Sequence, residues 1–71
     1  MNIRNEIKSY IIRTGWTTLN LVEELSQQYG WSSGVSNLSA KLQRESLRYK
    51  EAIQIADVLG YDIVWVKRRD D

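Results

Sequence analysis

The chain has 71 residues, a formal net charge of +1 from 10 Lys and Arg against 9 Asp and Glu, and neither cysteine nor histidine. That length holds one domain, which buries only about 60% of the surface its unfolded chain exposes, so stability is marginal and a partner subunit is an expected support. Disulfides and thiolate metal sites are excluded and the commonest transition-metal ligand is missing; with no long apolar run and no signal-peptide pattern, the expected location is cytoplasmic.

A first amphipathic helix is expected over about residues 2–14, where Ile3, Ile7 and either Tyr10 or Ile11 recur at helical steps and Gly15 follows as a stop. Arg4, Lys8 and Arg13 fall mostly on its wet side. A basic amphipathic N-terminus also suits a membrane surface or a targeting peptide, but Glu6 and the immediate continuation into folded-looking sequence argue against that role. The second helix, about 17–29, starts from a hydroxyl cap on Thr17 or Thr18, places Leu21, Val22, Leu25 and Tyr29 on one side and stops at Gly30. Trp16 stands just before the cap, where an apolar residue staples the helix entry, and is read as packing.

The third helix is expected over about 33–45. At about 100° per residue, Val35, Leu38 and Leu42 cluster on one face with Ser39 beside them. The opposite face presents Ser36, Asn37, Ala40, Lys41, Gln43 and Arg44. Such groups suit a major groove: Arg or Lys donates to guanine, Asn or Gln pairs with adenine, and Ala touches a thymine methyl. A plain surface helix has the same polar side. Positive charge is concentrated just here, with Lys41, Arg44, Arg48 and Lys50 against Glu45, whereas residues 14–30 carry only Glu23 and Glu24. A local basic patch is the electrostatic footprint of a nucleic-acid binder, although solvated helix faces of mixed sign are ordinary.

A fourth helix, about 48–59, turns Ala52, Ile53, Ala56 and Leu59 inward and ends at Gly60. The period then changes to two: Tyr61, Ile63 and Trp65 alternate with Asp62, Val64 and Val66, which predicts a strand over about 61–67 with apolar residues on both faces. A lone strand has an open edge, and a symmetric copy is its natural partner. Tyr61, Ile63, Val64, Trp65 and Val66 are therefore the expected homodimer interface. Lys67, Arg68, Arg69, Asp70 and Asp71 close the chain as an expected mobile tail.

Residues 15–60 resemble the lambda-repressor and Cro-like helix-turn-helix family, also called the xenobiotic-response-element (XRE) type. The resemblance is carried by Gly15, Trp16, Thr17, Thr18, Leu21 and Val22, by Gly30 and Trp31 at the turn, by the segment from Ser33 to Leu38, and most strongly by Ile53 to Gly60. It implies a mainly α, four-helix helix-turn-helix domain with one C-terminal strand paired across a dimer. The function it implies is sequence-specific binding of double-stranded DNA by a small transcriptional regulator, with the third helix in the major groove. Candidate DNA contacts are Thr18, Ser32, Ser33, Ser36, Asn37, Lys41, Gln43, Arg44, Arg48 and Lys50, of which Thr18, Arg48 and Lys50 would hold phosphates.

The chain departs from the family pattern in three places. About four extra residues between Val22 and Gly30 lengthen the second helix by one turn of 3.6 residues without rotating its buried face. Thr18 stands where the family often has a glutamine bracing the DNA backbone. Either Val35 and Leu38 or Leu38 and Leu42 form the inner pair of the third helix, which leaves the base-reading register open by about one turn.

The chief alternative is the same fold used as a protein-interaction module, such as a phage or plasmid accessory factor that does not bind DNA. RNA binding is a weaker option, because no aromatic-bearing sheet motif offers bases a platform. Catalysis is not expected: Glu23 and Glu24 are adjacent on a helix and do not face each other, and the serines read as caps and turn residues. Neither a glycine-rich phosphate loop nor a metal-ligand cluster is present, so no cofactor, metal or small-molecule substrate is expected.

Overall fold

The computed structural model describes residues 2–69, which form four helices: α1 (Ile3–Thr14), α2 (Thr18–Tyr29), α3 (Val35–Gln43) and α4 (Tyr49–Leu59). Asp70 and Asp71 of the expected tail lie outside the described residues. No helix among those described is long and apolar enough to cross a membrane.

Side-chain caps explain where the first two helices begin. The Asn2 side-chain oxygen Oδ1 accepts the Arg4 and Asn5 N–H groups at 2.9 and 3.3 Å, and the Thr17 hydroxyl accepts the Asn20 N–H at 3.1 Å. Each bond satisfies a donor that has no partner inside its helix. Thr17, rather than Thr18, is thus the cap of α2. The third helix is shorter than its expected span, because Ser33 stays in the loop, Gly34 takes the N-cap position and the chain leaves the helix at Arg44.

The helix ends share one device. Gly15, Gly30 and Gly60 follow α1, α2 and α4 at φ of 77°, 73° and 87°, a left-handed conformation that costs an ordinary residue about 1–2 kcal/mol. After α1 and α4 the next N–H reaches back five residues, from Trp16 to the Ile11 carbonyl at 3.2 Å and from Tyr61 to the Ala56 carbonyl at 2.8 Å. The end of α3 closes in the same way, with Glu45 N–H on the Leu42 carbonyl at 3.2 Å and Ser46 N–H on the Lys41 carbonyl at 2.9 Å. There, however, Glu45 occupies the left-handed position at φ 55°, where glycine stands after the other helices.

Ile11, Leu21, Val22, Leu25, Leu38, Leu42, Ile55 and Leu59 form the core, and each contributes about 1.5–3 kcal/mol when fully buried. The long α2 packs chiefly against α4 and then α3, and α1 closes against α3 and α4. Ile7, Tyr10, Trp16, Trp31, Leu47 and Val58 seal the rim, so Trp16 does pack. Two inward assignments need correction. Ile53 is 43% exposed while Ile55 is fully buried, because two residues on a helix are 200° apart and the stripe through Ile55 and Leu59 leaves Ile53 outside. Tyr29 is 39% exposed at the last position of α2, and its hydroxyl donates to the Asp57 carboxylate at 2.5 Å.

The expected strand over about 61–67 is not formed. A ladder needs a second segment to take its N–H and C=O groups, and among the described residues the chain supplies none. The segment instead leans on the helices. The Tyr61 ring lies 4.9 Å from that of Tyr10, and the Trp65 indole N–H donates to the Tyr49 hydroxyl at 2.8 Å, with the two rings edge to face.

Candidate nucleic-acid interface

After Gly30 the chain lays Trp31 on the rim of the core, where its indole N–H donates to Gln54 of α4 at 2.6 Å. Beyond it, α3 and the first turns of α4 diverge around the turn at Glu45 and leave an open groove of about 540 Å³. Four cations line this groove, Lys41, Arg44, Arg48 and Lys50, together with Ser32, Asn37 and a single carboxylate, Glu51.

Six of the expected contact residues are therefore gathered: Ser32, Asn37, Lys41, Arg44, Arg48 and Lys50. Ser33, Ser36 and Gln43 are exposed but do not line the groove, and half-buried Thr18, in the first turn of α2, lies outside it too. On α3 the fully buried pair is Leu38 and Leu42, with Val35 half-buried, and this inward stripe turns Asn37 and Arg44 to solvent. The expected dimer residues are all exposed, Tyr61 by 40%, Ile63 by 42%, and Val64, Trp65 and Val66 by 71–85%.

Lys41 is the exception among the cations. Its ammonium pairs with the Glu51 carboxylate and lies 5.5 Å from the centre of the Trp31 ring, so its charge is already spoken for inside the protein. The second Glu51 oxygen accepts the Arg48 N–H at 2.9 Å, so one carboxylate caps α4 and clips α3 to it. Burial works against the charge on Glu51. The hydrogen bonds from Lys41 and the Arg48 backbone, with the charges of Lys41 and Arg48, outweigh it and hold the carboxyl below its ordinary value. At the far edge of the groove the hydrogen bond to Asp57, then burial and the carboxylate's charge, raise the Tyr29 phenol.

Trp31, Gln54 and Glu51 were not among the expected site residues. A glutamate three residues after Arg48 is the second half of a capping pattern and is legible at the start of α4. The pairing of that glutamate with Lys41, ten residues earlier on another helix, leaves no periodic trace.

No family model, curated protein or solved structure matches this chain. Among the described residues no three acidic side chains gather to hold a metal ion. What the groove offers is a cluster of guanidinium and ammonium groups, with an exposed amide in the first turn of α3.

Proposed function

We propose that the protein is a small transcriptional regulator of the lambda-repressor and Cro-like, XRE type, binding double-stranded DNA sequence-specifically with α3 in the major groove. The observation that carries this reading is the split at α3: Leu38 and Leu42 are buried while Asn37 and, just past the helix end, Arg44 are exposed, beside a groove to which Arg48 and Lys50 also contribute. Arg44, Arg48 and Lys50 anchor phosphates, and Asn37 with Ser36 reads base edges.

The protein acts as a homodimer in this reading, in the cytoplasm, with residues 61–66 of two copies pairing edge to edge. Support comes from Val64, Trp65 and Val66, which expose 71–85% of their surface in a segment that forms no helix of its own. Two α3 helices about 34 Å apart, one turn of duplex, would then read a near-palindromic site.

Salt titration of duplex binding tests the reading. A dimer whose subunits each neutralise about three phosphates gives a log-log slope of roughly −5. Replacing Arg44 with Ala should make the slope shallower by about 0.9 per subunit, and binding that ignores salt would overturn the proposal. One observation favours a second reading, a protein-interaction module of the same fold: the exposed apolar segment from Val64 to Val66 is itself a docking surface. In that case Arg44→Ala leaves partner binding unchanged while Trp65→Ala abolishes it.

A further inference from the structure

We infer that Glu51 restrains indiscriminate DNA binding by holding Lys41 in an ion pair within the basic groove, so that phosphates meet three available cations there rather than four. The inference rests on the DNA-binding reading and deepens it by naming a residue that sets specificity without touching a base.

Both oxygens of Glu51 are engaged, one by the Arg48 N–H and one by the Lys41 ammonium. The pair is partly shielded, with 36% of the Lys41 side chain and 16% of the Glu51 side chain exposed, so solvent screens it less than a free surface pair. Trp31 lies under the ammonium and is itself tied to Gln54, which keeps the arrangement on a fixed floor. A phosphate entering the groove has two options. It can leave Lys41 where it is and sit near a carboxylate, or it can draw Lys41 away and leave that carboxylate bare beside it. Either way the groove holds a sugar-phosphate backbone less tightly than its cation content implies. Asn37 and Ser36 make no part of the clip, so base reading is not weakened. The consequence is a larger ratio between cognate and random-sequence affinity.

Glu51→Gln separates the charge from the cap, because the amide oxygen still accepts the Arg48 N–H. Titration of a short mixed-sequence duplex at stepped salt should show Glu51→Gln binding up to about eightfold more tightly at about 0.1 M salt, for each lysine freed. The log-log slope should steepen by about 0.9 per bound subunit, and adding Lys41→Gln to the Glu51→Gln protein should remove both gains. A helix brace with no electrostatic role would not steepen the slope. An unchanged or shallower slope for folded Glu51→Gln overturns the inference while leaving DNA binding standing. Failure of both folded wild type and folded Glu51→Gln to bind duplex at low salt overturns the DNA reading itself. Should Glu51→Gln fail to fold, side-chain NMR of the wild type decides: on adding the same duplex the Lys50 ammonium signal should move and that of Lys41 should stay. Equal movement of the two would overturn the inference.

Discussion

Leu38→Ala and Asn37→Ala, one residue apart on α3, should behave in opposite ways, and the reason is their geometry. Leu38 keeps 1% of its surface exposed between the helices, so truncation removes buried methyl groups and leaves a cavity worth about 2–5 kcal/mol. A small domain holds roughly 0.05–0.15 kcal/mol of stability per residue, or about 4–11 kcal/mol for this chain, so the loss is a large share of the total. Thermal denaturation followed by circular dichroism should show Tm falling by at least about 8 °C. Asn37 is exposed, and its replacement by a better helix former should move stability by no more than about 0.5 kcal/mol. The affinity of Asn37→Ala for a duplex selected by the wild type should nevertheless fall about 5- to 150-fold, the worth of one base-pairing amide. A Leu38→Ala protein that melts with the wild type, or an Asn37→Ala protein that melts far below it, would refute the assignment of inner and outer faces.

Three further outcomes follow from the same geometry. Glu45→Gly should raise stability by about 0.5–1 kcal/mol, since relief of the left-handed penalty exceeds the added freedom of the unfolded chain, and a lower Tm would contradict the strain at φ 55°. The lowered Glu51 carboxyl contributes stability that is present above the unfolded glutamate value of about 4.3 and is lost as pH falls through the folded value. The Tm gap between wild type and Glu51→Gln should therefore narrow on acidification, and a constant gap would count against the ion pair. Trp65 is 85% exposed and would bury up to about 250 Å² in a dimer, so Trp65→Ala should raise the dimer dissociation constant about 30-fold or more in sedimentation equilibrium. A wild type that stays monomeric at high concentration would remove the strand-pairing proposal.

The helices were legible because the signals that place them are local. Asn2 and Thr17 cap within three residues, Gly15, Gly30 and Gly60 stop three helices in the left-handed region, and the aliphatic stripes of α2 and α3 follow the helical period. Errors arose where one residue competes with its neighbours for the core. Ile53 and Ile55 carry the same side chain, and the face that α4 turns toward α2 decides which is buried. The strand is a different case: alternation in Tyr61 to Val66 describes a segment with two apolar faces, but a ladder exists only with a partner, and a single chain supplies none among its described residues. In the groove, charge clustering at Lys41, Arg44, Arg48 and Lys50 was visible along the chain, whereas the removal of Lys41 from that set by Glu51 depends on how α3 crosses α4.

The most direct test of the groove as a DNA-binding surface is amide and side-chain NMR of the labelled protein titrated with duplex DNA at low salt. The largest shifts should fall at Ser32, Asn37, Arg44, Arg48 and Lys50, with Lys8 and Arg13 of α1 undisturbed. Shifts confined to residues 61–66, or an unperturbed spectrum, would contradict the assignment of this surface to DNA.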